Sequence, residues 1–349
     1  MVGVHTVHRA LATVACVIGL LTPSLWFASL VTPGEEAVKI RNGLVAEMAD
    51  PAAFEWKPAE TPRTFKLNQS KPTTSMRAVV ASIRAANTGN AAQGLALAVA
   101  IARHLMQSPR RTGGPIQAGL DATYQRITEN GEGYCADFTR VFSGLAVASD
   151  LPVRTWSISF EAFGAGHSFS EIYDSVRSKW ILIDAFHSLY FVDAVSLEPL
   201  SVLELHERLI LSGGVPRVAI SPIVAGKSPF KSDALALDYD RRGFRQLALV
   251  WGNNVFDYDR SSAIKWAGRA SRHLERAVAI GLDIYPDLKI YPRGHSQRDV
   301  EALLRAKNRF FEAAAMLVLS IVVFGYLLAR TWLGSSGNAS SRSSGSAGL

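Results

Sequence analysis

The sequence is poor in cysteine and in charged side chains. Only two cysteines, Cys16 and Cys135, occur in 349 residues, and Cys16 lies inside an apolar segment. A single thiol therefore remains for the rest of the chain, which excludes a disulfide framework within a domain. Charged residues make up 19% of the chain and hydrophobic residues 48%, which is apolar-heavy for a purely soluble protein.

Several ligand-binding patterns are also missing. No group of His, Cys, Asp or Glu residues has the spacing of a zinc site, and no glycine-rich phosphate loop of the P-loop or Rossmann type occurs. We therefore expect neither a metal nor a nucleotide cofactor. The net charge of +7 comes from basic residues that are interleaved with acidic ones. Such a distribution favours contact with anionic lipid over nucleic-acid binding.

Two long uncharged segments account for the apolar excess. The 21 residues from Leu11 to Val31 would form about 30 Å of helix, which matches the hydrocarbon core of a bilayer. The 17 residues from Ala313 to Ala329 are fewer, but Phe310 and Phe311 extend that segment. Each segment predicts a transmembrane helix. A buried helix of a soluble protein is the alternative for both, and a cleaved signal peptide is a further alternative for the first.

The charges around these segments bear on membrane orientation. Arg9 before the first segment and Glu35 with Glu36 after it favour an internal N-terminus and an exported main domain. Three basic residues just before the second segment favour the opposite orientation. The intervening stretch is far longer than the roughly 60-residue loops for which the charge rule holds. We expect the main domain on the extracytoplasmic, periplasmic side.

Composition and periodicity divide the rest of the chain. A stretch rich in Pro, Lys and Thr follows the first apolar segment, and the tail is rich in Gly and Ser. Helical periodicity and then three strand patterns occupy the centre. The predicted organisation is an N-terminal membrane anchor (1–31), a linker (32–75), a main domain (76–200), an accessory region of unknown role (201–309), a C-terminal transmembrane helix (310–333) and a disordered tail (334–349).

The first candidate functional residue is Cys135. Gly131 and Gly133 precede it, and Phe138 and Phe142 follow it at helical spacing. This pattern predicts a helix that begins at or near Cys135. The free amide groups of a helix N-terminus favour a thiolate and can face an oxyanion on an attacked carbonyl group.

A histidine and an aspartate follow on two predicted strands. His167 opens the first strand, and Asp184 ends the second. The second strand is apolar, so burying the Asp184 carboxylate there is unfavourable unless the carboxylate has a partner. The polar turn 174–177 predicts an antiparallel hairpin. If the turn centres between Ser175 and Val176, His167 lies opposite Asp184, and a two-residue shift makes them diagonal neighbours on one face. Only a one-residue slip would separate them.

Together, these residues form a candidate catalytic triad. An acid beside a histidine fixes its tautomer and stabilises the imidazolium, so Cys135, His167 and Asp184 fit nucleophile, base and orienting group. Taken singly, each residue has an ordinary structural explanation, as a buried thiol, a hydrogen-bonded ring and a turn former. His187 is a competitor for the base. On an extended strand it would point away from Asp184, so we prefer His167.

With these residues in place, the chain resembles the transglutaminase-like (papain-type) superfamily, whose signature joins a Cys at a helix start, a His opening one strand and an Asp ending the next. The resemblance covers about a third of the chain. It implies an α+β fold, with helices packed on an antiparallel sheet in a papain-like or transglutaminase-like core over residues 76–200. The segments that carry it are Gly133-Tyr134-Cys135 with Phe138 and Phe142, Gly166-His167 with Glu171-Ile172-Tyr173, and Trp180 with Ile183-Asp184.

Two departures affect the expected substrate cleft. Serines flank Phe169 in the histidine segment, and Ala185-Phe186-His187 follows the aspartate without the proline that is frequent there. The resemblance implies a membrane-tethered thiol acyl-transfer enzyme that acts on peptide or side-chain amides of a protein or peptide substrate. Such an enzyme is a cysteine peptidase, an amidase or a transglutaminase-like acyltransferase, and hydrolysis is preferred because water needs no second binding site. The alternative is a non-catalytic membrane-anchored scaffold or peptide-binding module.

Overall fold

The computed structural model describes residues 2–32, 34–87, 93–109, 114–116, 118–212 and 216–336. The chain separates into two compact units. The apolar unit comprises the residues up to Gly43 and those from Ala302 onward, and the body comprises Leu44–Glu301.

The secondary structure is mixed. The helices are α1 (Val2–Val31), α2 (Glu35–Val45), α3 (Thr74–Ala86), α4 (Gly94–Leu105), α5 (Leu120–Asn130), α6 (Cys135–Ala148), α7 (Val202–His206), α8 (Asp233–Gly243), α9 (Val255–Arg260), α10 (Ser262–Ala270), α11 (Arg272–Gly281) and α12 (Gln297–Ser336). The strands are β1 (Ala46–Met48), β2 (Val153–Ser159), β3 (Gly166–Asp174), β4 (Lys179–Ile183), β5 (Leu189–Asp193), β6 (Val218–Pro222), β7 (Leu247–Trp251) and β8 (Asp287–Ile290).

The apolar unit contains two helical stretches that are long and apolar enough to cross a membrane, Thr13–Val31 in α1 and Gln297–Leu327 in α12. Within the unit the rings of Phe27 and Phe310 contact each other, with centroids 5.5 Å apart. Most of the side chains in the two stretches are exposed, as expected for helices whose solvent is lipid. The tail predicted to be disordered lies, from residue 337 on, outside the described residues.

A six-stranded sheet forms the centre of the body. Its strand order is β1-β8-β7-β2-β3-β4, and all neighbours are antiparallel except β1 and β8. The α+β class with a mostly antiparallel sheet is therefore confirmed. The sheet also extends beyond the predicted main domain, because β7 and β8 come from the accessory region and β1 comes from the predicted linker. Strands this short leave little alternation for a sequence pattern to detect.

The two faces of the sheet bury different cores. On β4, Ile181 and Ile183 face a core of aliphatic side chains and phenylalanines supplied by α3, α4 and α6. The alternate residues Trp180 and Leu182 face a second, aromatic-rich core. This alternation follows from the two-residue period of a strand. Helices cover one face, and segments before α3 and after β5 cover the other.

A buried ion pair stabilises the aromatic-rich side. Arg154 on β2 donates to Glu171 on β3 over 2.6 Å, and both side chains are at most 2% exposed. Glu171 also accepts from the Trp156 indole at 2.7 Å and from the amide of Val202 at 2.7 Å. The guanidinium lies 4.3 Å from the ring centroid of Trp180. This network fixes β3, the strand that carries His167, against β2 and α7.

We predict that Arg154→Met lowers the free energy of unfolding by about 3–5 kcal/mol, because it leaves the Glu171 carboxylate buried without its cation. Denaturant unfolding followed by circular dichroism measures the change. The matched control is Lys179→Met, which removes the more exposed ion pair with Glu204 and should cost less than about 1 kcal/mol. Equal losses in the two variants would contradict a structural role for the buried pair.

Candidate active site

Cys135 is the first residue of α6. Gly131 ends α5 with a φ of 66°, and Gly133 has a φ of 103°, a conformation that favours glycine. The Asp137 carboxylate accepts from the amides of Tyr134 at 2.9 Å and Ile116 at 3.0 Å, which fixes the start of the helix. The thiol therefore lies at a helix N-terminus and is half-buried.

His167 is the second residue of β3 and pairs with Ile158 on β2. The preceding residue is glycine for a steric reason. A Cβ atom on Gly166 would overlap the carbonyl group of Ile158, so a larger residue would force the strands apart. The His167 side chain is 2% exposed. The close pairing of the start of β3 with β2 thus holds the His167 side chain in the core.

The β3–β4 hairpin brings His167 and Asp184 together. Ser170 pairs with Ile183, and Asp174 pairs with Lys179, which corresponds to the two-residue shift considered in the sequence analysis. His167 and Asp184 are diagonal neighbours in this register, and His167 Nε2 lies 2.6 Å from Asp184 Oδ2. Because Nε2 is used in this way, Nδ1 is the ring nitrogen left for the thiol of Cys135.

His187 also lies at the site, and the prediction that it would point away from Asp184 was wrong. That prediction assumed an extended strand, whereas residues 185–188 form a turn. The turn returns the amide of His187 to Asp184 Oδ1 at 2.9 Å and its Nδ1 to Asp184 Oδ2 at 2.9 Å. The rings of His167 and His187 stack with centroids 4.1 Å apart. One carboxylate therefore contacts two imidazoles.

The charges of this cluster stabilise one another. Burial alone would raise the pKa of Asp184, but the positive charges and hydrogen bonds of His167 and His187 outweigh burial and lower it. For His167, burial alone would lower the pKa, but the Asp184 charge and hydrogen bond outweigh burial and raise it to about 10. The imidazolium–carboxylate pair is thus the favoured state near neutral pH.

The thiol is coupled to the same pair. Burial alone would raise the pKa of Cys135, but the hydrogen bond and charge of His167 and a hydrogen bond with the backbone of Ser168 lower it below the ordinary thiol value. The Asp184 charge acts in the opposite direction. The described structure therefore brings together all three residues of the predicted triad, with a thiol poised towards its thiolate form.

Helix α8 supplies two residues that the sequence analysis missed. The Tyr239 ring lies 6.1 Å from the ring of His167 and 5.5 Å from that of His187. Asp240 is 3% exposed, and burial, with a smaller contribution from Asp184, raises its pKa to about 8. No motif marks these residues, because they come from the accessory region and meet the triad only in the folded chain.

A metal ion is a chemical alternative for part of this cluster. Ligand atoms of His167, Asp184 and His187 lie within 4.8 Å of one another. However, the carboxylate oxygen is 2.6 and 2.9 Å from the two ring nitrogens. Tetrahedral zinc, with ligands at about 2.0–2.1 Å, would hold them roughly 3.3 Å apart. The observed spacing favours direct contact between the carboxylate and the two imidazoles.

Comparison with protein-family models, curated proteins and solved structures found no match to this chain.

We predict that Cys135 is alkylated by iodoacetamide with a pH inflection below that of an ordinary thiol, because its thiolate is favoured by His167. In a Cys16→Ala background, His167→Gln should move the inflection to higher pH by removing the imidazolium charge. Alkylation rates measured across pH, with Cys135→Ser as the blank, test both statements. An inflection that matches a free thiol and does not respond to His167→Gln would contradict the coupling.

Proposed function

We propose that this protein is a membrane-tethered thiol acyl-transfer enzyme that acts on peptide or side-chain amides. The observation that carries the proposal is the buried pair of His167 and Asp184, with Nε2 2.6 Å from Oδ2. The charge of His167 lowers the pKa of the Cys135 thiol at the start of α6, so the three residues form one cluster. Its order is that of a nucleophile, a general base and an orienting group. Burial of the last two residues means that the pair is held in one geometry.

In the first half of the proposed reaction, the sulfur of Cys135 attacks the carbonyl carbon of the amide. The proton of the thiol resides on His167, and the carbonyl oxygen gains the negative charge. Free amide groups at the N-terminus of α6 are available to stabilise this oxyanion. When the tetrahedral intermediate collapses, the carbon–nitrogen bond breaks and His167 donates its proton to the leaving amine. The product is a thioester on Cys135.

In the second half, a nucleophile releases the acyl group from the thioester. His167 removes a proton from water or from an amine, the new bond forms at the carbonyl carbon, and the thiolate of Cys135 leaves. Asp184 holds His167 in one tautomer and stabilises the imidazolium in both halves. We favour water as the acceptor, since it needs no second binding site, so hydrolysis by a peptidase or amidase is the preferred outcome.

We assign the body to the transglutaminase-like, papain-type fold as part of the same proposal. Supporting features are the cysteine at the start of α6, the histidine at the start of β3 and the aspartate after β4, all next to an antiparallel sheet covered by helices. The order of these elements along the chain matches the family signature described above.

We predict that Cys135→Ala abolishes turnover and that Asp184→Asn lowers kcat by about three to four orders of magnitude, because the His167 tautomer is no longer fixed. A library of internally quenched peptides measures hydrolysis, and dansylcadaverine incorporation into a glutamine-rich protein measures amine transfer. Cys16→Ala is the matched thiol control and should retain full activity. Turnover that survives Cys135→Ala would contradict the proposal, and no turnover with either substrate class would favour the scaffold alternative.

We further propose that α1 and α12 tether the body on the extracytoplasmic side. Their length and apolar composition support the tether. Arg9 before the first span and the acidic pair Glu35 and Glu36 after it support the orientation.

For this orientation we predict that alkaline phosphatase fused after Val31 is active in a bacterial host. Alkaline phosphatase forms its disulfides only in an oxidising compartment, so its activity reports export. A fusion of β-galactosidase at the same place is the complementary control and should be inactive. The reverse pattern would place the body in the cytoplasm.

A further inference from the structure

Helices α10 and α11 form a basic, amphipathic surface on the body. Ile264 and Ala267 are buried and hold α10 on the protein. On the outward side, Trp266 is 67% exposed, which is unusual for so large an aromatic ring, and the side chains of Lys265 and Arg269 are exposed beside it.

Helix α11 and the residue after it also expose apolar side chains. Leu274 is 39% exposed, and Leu282, just after the helix, is 50% exposed. Ser271 accepts from the amide of Leu274 at 3.0 Å and fixes the start of α11 directly after the end of α10. The exposed apolar side chains are therefore displayed by capped helices, which limits their freedom to fold back onto the protein.

The charge of this surface is positive. Glu275 is the only acidic residue between positions 262 and 281, and Asp283, which follows Leu282, is paired with Lys66. The Glu275 carboxylate accepts from the Tyr258 hydroxyl at 2.9 Å, so the negative charge is engaged within the body. Lys265 and Arg269 flank the exposed indole, and two further arginines lie in α11. A tryptophan between basic side chains on an amphipathic helix is the composition of a helix that lies in the head-group region of a bilayer.

We propose that the α10–α11 surface docks on an anionic lipid surface, with Trp266 inserted at the level of the head groups. This inference rests on the proposed function only through the tether, which keeps the body close to a bilayer, and not on the chemistry of the triad. Lipid is favoured over a protein partner because basic side chains around an exposed tryptophan on an amphipathic helix complement anionic lipid head groups. The docking would hold the body in one orientation on the membrane.

The test uses the full chain reconstituted in vesicles, in a Cys16→Ala, Cys135→Ser background. A fluorophore is attached through Trp266→Cys, and a control fluorophore through Val176→Cys, because Val176 is 77% exposed on the β3–β4 turn. Vesicles contain phosphatidylcholine alone or with phosphatidylserine, each with a lipid-borne quencher. We expect quenching at position 266 in the phosphatidylserine vesicles and no quenching at position 176.

Removing charge should weaken the docking. Lys265→Gln with Arg269→Gln should shift the equilibrium between docked and undocked forms about 30-fold towards the undocked form, since each basic residue near an anionic leaflet contributes about fivefold. The control is Lys57→Gln with Lys231→Gln, which removes the same charge from exposed lysines elsewhere and should leave the quenching unchanged.

The outcomes separate this inference from the tether. The docking surface is overturned if the chain resists alkaline extraction but shows no quenching at position 266. It is also overturned if positions 266 and 176 are quenched equally and the two double glutamine variants do not differ. If alkali extracts the chain from the vesicles, the tether is overturned. In that case the docking surface predicts flotation with phosphatidylserine vesicles only, and flotation with neither lipid would overturn it as well.

Discussion

The site is organised around one buried negative charge, the carboxylate of Asp184. A carboxylate in the core is tolerated only when cations and hydrogen-bond donors surround it. Here the His167 ring and the amide of His187 donate to it, and Nδ1 of His187 lies 2.9 Å from Oδ2. The contacts come from two segments, the start of β3 and the turn after β4, so the compensation of one buried charge joins both segments to the end of β4.

The second constraint is that the site is completed by a distant part of the chain. Helix α8 lies more than 40 residues beyond the turn that carries His187, yet its Tyr239 ring covers both histidines. The ring of Phe230 also contacts His187, with centroids 4.8 Å apart. These aromatic side chains pack against the imidazole pair, which is at most 6% exposed, and burial strengthens the attraction between the imidazolium and Asp184.

Much of the local structure could be predicted from the sequence, and the reasons are physical. The glycines before Cys135 and the helical spacing of Phe138 and Phe142 define the start of α6. Short runs of β-branched and aromatic residues, separated by glycine and polar turns, indicate β2, β3 and β4. The hairpin register was predicted as one of two alternatives because side chains two residues apart share a face. The reversal at His187 was missed because a single turn changes the direction of a side chain without changing composition. Tyr239 and Asp240 meet the triad through tertiary packing alone, which no local pattern records.

The strand order has a consequence for folding during synthesis. β7 and β8 separate β1 from β2 in the sheet, although β1 and β2 precede both of them in the sequence. During synthesis, one edge of β2 therefore stays unpaired until β7 (Leu247–Trp251) leaves the ribosome. In the same way, β1 has no partner in the sheet until β8 (Asp287–Ile290) follows. An open edge of this kind invites pairing with other chains. The two edges thus stay unpaired until almost the whole body has been synthesised.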